Sequence, residues 1–509
     1  MSAARRLAVL VGMLLLFRLG SAVVVFQPGY TDAYYYADVA KRLAAGQGLT
    51  ADFIWNFIEY PTGFGALPIA SHRFWMPLAT VLQAVGIAGL PFLDAFRAAQ
   101  AMEILVACLI PVVTYVAARS LGASANAGLL AAALAGLGGA FAPGWVSLDA
   151  FAPAAVIGTV FFLCYRRAAA GDIRAGVFAG LAVGLLFLAR SEGALFGLAL
   201  LWLLRARASR RSGAAGSIVA LAIGLAWLAR DLSLGPGPDL FARSVLLVRY
   251  EDFFAVDTGV GILGVPAVSW DQFIAAWPDV LAAKLAAVGT NLVTFVFAFG
   301  LLLAPGIARA AWSLPRPDVR AFAALLGVVY LVESLAFTLH STRGSYFHSL
   351  AAFFPYGVAL GVIGTGELLR SAEGRRLAAA AGIVAAVIVS SFALSQWDLS
   401  FNAPYRERVA LVSRLPPGRL MAIDAAAWRW IADRPVGVTP ANLDPCAIAY
   451  AADLDVTTLV LERVHFTSYD PLYLGSPVIE YLGSPVQVGD VRLYPIDARR
   501  ARGICASRF

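Results

Sequence analysis

The chain has 509 residues, of which 60% are apolar and only 14% are charged. An average soluble domain carries about 25% charged residues, so this composition excludes a disordered chain, a coiled coil and an ordinary soluble enzyme. The net charge of +7 rests on short arginine clusters between apolar runs, a pattern typical of the cytoplasmic loops of membrane proteins and not of a nucleic-acid-binding surface.

The first apolar run, residues 7–26, directly follows Arg5 and Arg6. Such a run can be a signal peptide that is removed from the mature protein. No small-x-small cleavage site is clear here, so we expect a retained first transmembrane helix with a cytoplasmic N-terminus. The polar segment that follows would then lie outside.

Ten further apolar runs predict transmembrane helices, because about 20 apolar residues are needed to cross a bilayer. Arginine-rich joints alternate with arginine-poorer ones, and placing the former in the cytoplasm predicts about eleven transmembrane helices with the C-terminus outside. The ten runs cover residues 95–118, 127–145, 147–165, 174–189, 193–204, 214–229, 286–308, 321–339, 346–364 and 377–395. The arginine-rich joints hold Arg119; Arg166, Arg167 and Arg174; Arg205, Arg207, Arg210 and Arg211; Arg309, Arg316 and Arg320; and Arg370, Arg375 and Arg376.

Two segments need separate treatment in this topology. The apolar stretch 75–93 lies within the first outer loop, 27–94, and cannot cross without changing the parity of the helices that follow. We expect it to form a juxtamembrane or re-entrant helix.

Residues 174–204 are interrupted at Arg190, Ser191 and Glu192. Arginines on both flanks favour a hairpin, and one long helix is the alternative.

The composition changes after Gln396, so we expect a transmembrane domain over 1–396 and an extracytoplasmic α/β domain over 397–509. In the second part strands alternate with helices, which is typical of an α/β domain. The expected helices cover 405–415, 425–433 and 444–452, the strands 419–424, 436–439 and 457–462, and a hairpin 485–496. We also expect a disulfide between Cys446 and Cys505, because both would lie outside the membrane, where disulfides persist.

The first outer loop carries a candidate catalytic carboxylate, Asp32, directly after the first apolar run. The segment from Thr31 to Leu43 has its apolar residues at helical spacing, which predicts a short amphipathic helix on the membrane surface. Asp38 and Arg42 are spaced to pair on its polar face. Asp32 could cap this helix, or it could act as a general base at the height of the lipid headgroups.

The same loop continues with aromatic and basic residues that could contact a substrate. Trp55 and Trp75 fit interfacial anchors, and Trp75 is also a candidate substrate contact. His72 and Arg73 precede the apolar stretch, and arginine suits phosphate because its donors form a bidentate fork.

Two carboxylates lie within or at the edge of predicted membrane helices, where charges are costly and often functional. Asp149 could be a catalytic residue or a helix cap. Glu333 could pair with a neighbouring arginine, because buried charges are usually paired. His340 and His348 flank Arg343, but their spacing matches no metal-binding motif.

Taken together, these motifs resemble the GT-C superfamily of integral membrane glycosyltransferases, in its bacterial protein-mannosyltransferase-like and aminoarabinose-transferase-like branch. The resemblance covers about residues 1–365 and, more loosely, the C-terminal part. It rests on four stretches. These are Asp32 with Tyr34, Tyr35 and Tyr36 before Gly46-Gln47-Gly48; Asp149 at the outer end of the fourth helix; Gly180-Leu181-Ala182-Val183-Gly184 with Leu188-Ala189-Arg190-Ser191-Glu192-Gly193; and Arg343-Gly344-Ser345-Tyr346-Phe347-His348 with Pro355.

The resemblance implies transfer of a sugar from a polyprenyl-phosphate donor to an acceptor hydroxyl at the outer face of the bacterial cytoplasmic membrane, with inversion. Asp32 would be the general base and Asp149 the second catalytic acid residue. The donor phosphate would bind to Arg73, Arg343, Arg190 and Arg249, and the substrate to Tyr35, Tyr36, His72, Trp75 and His348. An arginine at any of these positions could instead contact a lipid headgroup.

Two positions depart from the family pattern. No second acidic residue stands beside Asp32, and no His-Pro-Pro precedes the juxtamembrane helix. No metal ligand set is therefore assigned and no cofactor is established from the sequence, while a divalent metal is left open. The expected partners are the polyprenyl-phosphate sugar donor, membrane lipid and an unidentified glycan, lipid or protein acceptor, without nucleic acid. The alternatives are a transporter or flippase of lipid-linked sugars and an inactive scaffold of the same fold.

Overall fold

The computed structural model describes residues 1–57, 66–235, 270–476 and 479–505, together with Glu251 and Phe254. Helices dominate the part of the chain before residue 400. The elements there are α1 (Ala3–Val24), α2 (Thr31–Ala44), β1 (Thr50–Ala51), β2 (Ile69–Ala70), α3 (Leu78–Gly89), α4 (Ala95–Ala107), α5 (Leu109–Ser120), α6 (Ala125–Leu137), α7 (Phe151–Ala169), α8 (Ile173–Ala189), α9 (Gly197–Leu203), α10 (Arg210–Ser233), α11 (Trp270–Ser313), α12 (Pro317–Leu335), α13 (Thr338–Thr342), α14 (Ser345–Leu350), α15 (Phe354–Leu368) and α16 (Ala372–Trp397).

The C-terminal part mixes helices and strands in the predicted order. Its elements are α17 (Ala403–Leu411), β3 (Arg419–Ala422), α18 (Ala425–Ala432), β4 (Val436–Val438), α19 (Pro445–Asp453), β5 (Val456–Leu461), α20 (Asp470–Tyr473), β6 (Val486–Val488), β7 (Val491–Pro495) and α21 (Ala498–Cys505). The expected hairpin is the antiparallel pair of β6 and β7.

Each predicted apolar run overlaps a helix of the structure, but the run 127–145 is α-helical only to Leu137 and the run 193–204 only from Gly197. Within the described residues, six helical segments are long and apolar enough to cross a membrane: Ala3–Val24, Ala95–Ser120, Phe151–Ala169, Arg210–Ser233, Ile274–Ser313 and Ala372–Arg414. Other apolar helices, such as α6 and α8, are shorter. The chain therefore has the helical architecture of a polytopic membrane protein, and the number of eleven crossings stays a prediction. The stretch 75–93 contains the expected helix, α3, and its juxtamembrane or re-entrant position stays a prediction.

The segment 174–204 is not one long helix. Arg190 has an extended backbone, with φ −156° and ψ 139°, and it separates α8 from the 3₁₀ turn Ser191–Phe196. That turn lies directly against the end of α8, because a Cβ atom added to Gly193 would stand 2.3 Å from the carbonyl carbon of Leu186. The alternative of a continuous helix is therefore wrong.

Small residues let α8 and α10 approach each other closely. A Cβ atom added to Gly176 would lie 2.2 Å from the carbonyl oxygen of Ser212, and one added to Gly180 would lie 2.1 Å from that of Gly216. Close backbone approach at regularly spaced small residues is a common way for membrane helices to associate. The glycines of the segment 180–184 thus have a packing role.

The contacts divide the chain into two compact units, described separately below. The first unit combines Met1–Pro28, Trp75–Arg230 and Lys284–Ser400, and the second combines Gly29–Phe74, Asp231–Ala283 and Phe401–Phe509. Residues of the first loop thus belong to the same compact unit as the C-terminal residues.

A five-stranded sheet in the order β4-β3-β5-β7-β6 forms the core of the second unit. The strands β4, β3 and β5 are parallel to one another, and β7 runs antiparallel to both of its neighbours, β5 and β6. Phe53 of the first loop forms a parallel bridge with Val436 of β4. Ile54 N–H donates to Val436 O at 3.0 Å, and Val436 N–H donates to Asp52 O at 3.3 Å. This segment covers the edge that β4 would otherwise expose.

The second unit also contains a disulfide. Cys446 at the start of α19 is disulfide-bonded, whereas Cys108 and Cys164 are free. The helices α19 and α21 pack against each other, and α21 ends at Cys505, whose side chain lies outside the described part of the chain. The pairing of Cys446 with Cys505 stays a prediction, and the packing of these two helices supports it.

Candidate functional site

Asp32 occupies the first turn of α2 in the second unit. The residue that precedes the helix is Tyr30, and its side chain makes no capping hydrogen bond. Asp32 lies inside the helix and is half-buried. Asp32 is therefore not the residue that caps α2, and the hypothesis that it is the helix N-cap is wrong.

The start of α2 is attached to the C-terminal sheet region by side-chain hydrogen bonds within the second unit. Thr31 Oγ1 donates to Asp424 Oδ1 at 3.2 Å. Arg408 NH1 donates to Asp424 Oδ2 at 3.1 Å, and the Nε and NH2 groups of Arg408 bind Glu462 at 2.8 and 3.1 Å. Trp428 Nε1 also donates to Glu462, at 3.1 Å. One arginine thus holds two carboxylates from different elements.

The expected pair of Asp38 with Arg42 is wrong. Arg42 forms its ion pair with Asp52, and the Asp38 carboxylate lies 3.8 Å from Arg429 Nε. Asp38 is fully buried, and so are Tyr36, Val39 and Ala40 on the apolar face of α2, so that face packs inside the protein and not on a membrane surface. Burial raises the pKa of Asp38, and the nearby Arg429 and Lys41 act in the opposite direction.

Tyr35, Tyr36 and His72 form an aromatic cluster inside the second unit. The Tyr35 and Tyr36 side chains are 1% exposed, and His72 is fully buried. The His72 backbone N–H donates to the Tyr35 hydroxyl, and the His72 ring stacks on Tyr36 with ring centres 6.1 Å apart. His72 has φ 61°, which is uncommon for a residue other than glycine. These three predicted substrate contacts are thus brought together in a buried cluster.

The other aromatic and basic residues of the loop are also engaged in the structure. Trp55 is 7% exposed and contacts the Phe74 ring at 5.4 Å, so it lies in the interior and not at a membrane interface. Arg73 Nε lies 3.5 Å from Asp231, and Arg73 NH2 donates to the carbonyl oxygen of Gly235 at 3.2 Å. Trp75, which belongs to the first unit, is half-buried.

In the first unit, Asp149 and His348 lie side by side. His348 Nδ1 is 3.3 Å from Asp149 Oδ2, and the His348 ring packs on Phe151 with centres 4.1 Å apart. Asp149 is fully buried and accepts a hydrogen bond from the backbone N–H of Ala150. The residue that precedes α7 is Ala150, so Asp149 is not the cap of that helix.

Arg190 and two glutamates form a second polar cluster in the first unit. Arg190 Nε donates to Glu192 Oε1 at 2.5 Å, and Arg190 NH2 donates to Ser345 Oγ at 3.0 Å. Ser349 Oγ lies 2.7 Å from Glu192 Oε1 and 2.9 Å from Glu333 Oε1. Glu333 also accepts from Ser345 at 3.0 Å. Serine hydroxyls therefore bind the Glu333 carboxylate, and the neighbouring Arg190 interacts with it electrostatically, in line with the expected arginine partner.

A recess of about 310 Å³, its open mouth included, lies beside these groups. Its polar lining comes from Arg190, Glu192, His348 and Ser349, and the rest of its wall is largely apolar. Arg343, at the end of α13, is exposed. Arg249 lies outside the described residues.

The pair of Asp149 and His348 offers a carboxylate oxygen and an imidazole nitrogen on one side of the first unit. Both groups are common ligands of Zn²⁺ and related divalent ions. These residue types are consistent with a divalent metal, but two ligands do not complete a coordination shell.

Several residues of these clusters did not stand out in the sequence. Arg408, Asp424 and Glu462 are separated by up to 54 positions from one another, and Thr31 lies 393 positions before Asp424. No local spacing rule connects positions so distant. Ser345 and Ser349 were visible only as part of the segment around Arg343 and His348.

Comparison with known proteins gives no match at the level of sequence. No family model matches the chain, and no curated protein matches it. Solved structures, in contrast, match almost its whole length.

Three structures illustrate this similarity. ArnT from Cupriavidus metallidurans in the apo state is 13% identical over 98% of this chain and 99% of its own, with a TM-score of 0.56. The oligosaccharyltransferase of Archaeoglobus fulgidus in complex with Zn and sulfate is 14% identical over 94% and 72%, with a TM-score of 0.53. Arabinofuranosyltransferase AftD from Mycobacteria is 16% identical over 97% and 40%, with a TM-score of 0.51.

At these identities the comparison shows the fold. The chain shares the fold of these membrane-protein structures, in agreement with the fold that its motifs predicted, and six of its described helical segments are long and apolar enough to cross a membrane.

Proposed function

We propose that this protein transfers a sugar from a polyprenyl-phosphate donor to an acceptor hydroxyl, with Asp32 as the general base. The observation that carries the proposal is the position of Asp32 in the first turn of α2, eight residues beyond the end of α1 at Val24. This position would place the carboxylate near the headgroup level of a bilayer that α1 crosses. The shared fold also supports a lipid-phosphate donor. ArnT binds undecaprenyl phosphate in one solved structure, and the Archaeoglobus fulgidus oligosaccharyltransferase, AglB, was solved with a dolichol-phosphate in another.

The proposed reaction forms one bond and breaks one bond at the anomeric carbon. Asp32 takes the proton of the acceptor hydroxyl, and the acceptor oxygen attacks the anomeric carbon of the donor sugar. The bond from that carbon to the phosphate oxygen breaks, and polyprenyl phosphate leaves with the electron pair. Attack opposite the phosphate inverts the anomeric configuration.

Basic side chains are proposed to stabilise the charge that develops on the leaving phosphate. Arg343 is the strongest candidate among the described residues, because it is exposed at the end of α13. Arg190 and Arg73 are bound to Glu192 and Asp231. A phosphate would have to compete with these carboxylates for Arg190 and Arg73.

Asp149 and His348 are proposed as a substrate-binding polar pair of the first unit. Their carboxylate and imidazole can order a sugar hydroxyl, or they can contribute ligands to a divalent metal. A bound metal would supply Lewis-acid polarisation of phosphate oxygens. Activity that survives a chelator, with loss of activity in His348→Gln, would assign the pair to hydroxyl binding.

The location and the partners follow from the same proposal. The arginine-rich joints are expected in the cytoplasm of a bacterium, and the C-terminal domain outside the inner membrane. The acceptor is a glycan, a lipid or a protein that carries a free hydroxyl. The rival proposal of a transporter has less support, because transporters often consist of two matching halves and the sequence contains no internal repeat.

The direct test of the base is Asp32→Asn in purified, well-folded protein. This change keeps the size of the side chain but removes its basicity, and loss of a general base typically costs about 10²–10⁴-fold in rate. Asp38→Asn on the same helix is the matched control, since Asp38 is buried away from the proposed chemistry. Wild-type turnover in Asp32→Asn would refute the assignment.

A further inference from the structure

We propose that Arg408 is a positioning residue, which orients the first turn of α2, and thereby Asp32, through Asp424 and Thr31. The inference rests on the proposed function for the role of Asp32. The contacts themselves lie entirely within the second unit.

Arg408 is held rigidly by its own partners. It binds Glu462 through the two-pronged contact described above, and the Arg408 guanidinium lies 6.0 Å from the centre of the Trp428 ring. Its side chain is only 16% exposed, so water competes weakly for these bonds. Bidentate arginine–carboxylate pairs fix orientation as well as distance.

Asp424 connects Arg408 to the first turn of α2 by hydrogen bonds. Its Oδ2 atom accepts from Arg408, whereas its Oδ1 atom accepts from Thr31 and from the backbone N–H of Ala427 at the start of α18. Both carboxylate oxygens are thus engaged, which prevents free rotation of the group. Thr31 is the residue directly before Asp32, so its hydroxyl fixes the backbone from which Asp32 projects.

The charges of Asp424 and Arg408 also act on a second residue of α2, Tyr34. Tyr34 is 1% exposed. Burial raises its pKa well above the usual value, and the nearby Asp424 and Arg408 act in opposite directions on that pKa. Thr31 and Tyr34, both in the first turn of α2, therefore interact with the ion pair of Arg408 and Asp424. The position of this pair thus affects the helix itself and not only the loop before it.

An arrangement that serves only stability predicts a different outcome from one that positions a base. Misplacement of a reacting group by about 1 Å can cost about 10²-fold in rate, whereas loss of a half-exposed hydrogen bond costs about 1 kcal/mol in stability. The hydroxyl of Thr31 separates the two cases, because valine has nearly the same shape without the donor and serine keeps the donor.

The experiment compares Thr31→Val, Thr31→Ser and Arg408→Lys with the wild-type protein, all as the full purified chain. The readouts are kcat, donor KM, thermal midpoint and amide hydrogen exchange of the peptide that covers Tyr34 to Tyr36. The exposed Arg406 lies on the same helix as Arg408, so Arg406→Lys is the matched control.

We expect Thr31→Val and Arg408→Lys to lower kcat by about 10- to 100-fold while donor KM stays within about twofold. Amide exchange in the first turn of α2 should become faster in both. Thr31→Ser should restore kcat and exchange to near wild type, and Arg406→Lys should change neither. Unchanged exchange in Thr31→Val and Arg408→Lys, or unchanged kcat in both, would overturn the proposal.

The exchange measurement also separates this inference from the proposed function. If the wild-type protein transfers no sugar but exchange quickens in Thr31→Val and not in Thr31→Ser, the positioning network stands and the proposed function fails. If transfer depends on Asp32 while exchange and kcat are the same in Thr31→Val as in wild type, the proposed function stands and the network fails.

Discussion

Gly180 offers a sharp test of how α8 and α10 pack. Gly180→Ala adds a methyl group that would lie 2.1 Å from the carbonyl oxygen and 2.7 Å from the Cα atom of Gly216. These neighbours are backbone atoms and cannot rotate away, so the helices must separate. Overpacking of this kind costs about 1–3 kcal/mol, and the upper end applies to so close an approach.

The better helix propensity of alanine offsets about 1 kcal/mol of this cost, which leaves a net destabilisation of about 2 kcal/mol for Gly180→Ala. Gly224 on α10 is the matched control, because an added Cβ atom there meets nothing within 4 Å. Gly224→Ala should therefore be neutral or stabilising by up to about 1 kcal/mol.

The assay is thermal unfolding of both variants in the same detergent, followed by intrinsic tryptophan fluorescence. The midpoint of Gly180→Ala should fall below that of the wild type, and the midpoint of Gly224→Ala should equal or exceed it. A midpoint of Gly180→Ala at or above the wild-type value would refute the close helix packing described here.

Three further predictions follow from the structure. Burial raises the pKa of Asp38 above the unfolded value of about 3.9, so the contribution of this carboxyl to stability is fully present below the unfolded value and is lost as the pH rises through the folded pKa. The stability of Asp38→Asn relative to wild type, measured by denaturant unfolding, should therefore increase as the pH rises above about 4, and a decrease would contradict the assignment. Cys446→Ser should lower the free energy of unfolding by about 4 kcal/mol if the bridge closes the loop to Cys505, and mass spectrometry of unreduced peptides should recover that pair. Reporter fusions after Arg211 should report cytoplasm and fusions near Gly46 should report the outside; an outside signal at Arg211 would contradict the hairpin topology of 174–204.

The positions of the helices could be predicted from the sequence because a membrane helix is specified locally. A run of about 20 apolar residues has few other stable arrangements in a bilayer, and each predicted run overlaps a helix. The C-terminal elements were predictable for a related reason, since apolar strands such as 457–462 alternate with helical periods between polar turns.

The side-chain pairs could not be predicted in the same way. The i,i+4 rule favoured a pair of Asp38 with Arg42, but it describes a preference of a few tenths of a kcal/mol on an isolated helix. In the folded protein Asp38 is buried beside Arg429, and Arg42 contacts Asp52. Tertiary packing overrode the local preference because an unpaired buried charge is energetically costly, so the buried Asp38 carboxylate pairs with a residue that is distant in sequence.

The candidate site was predictable in part. The sequence identified Asp32 as the notable carboxylate after α1, and it identified Asp149 and His348 separately, without indicating that those two lie 3.3 Å apart. It gave no indication of Arg408, because the residues that bind it are distant along the chain. Long-range ion pairs leave no periodic signal, so only the folded structure shows them.

The most direct test of the central claim follows a labelled donor. Purified protein is incubated with native membranes and a polyprenyl-phosphate sugar that is radiolabelled in the sugar. We expect the label to leave the donor lipid and to enter a water-soluble or slower-migrating product. Unlabelled polyprenyl phosphate should accumulate in equal amount, and Asp32→Asn should abolish both changes. Label that remains attached to the polyprenyl phosphate, or that crosses a bilayer still attached to it, would contradict the account.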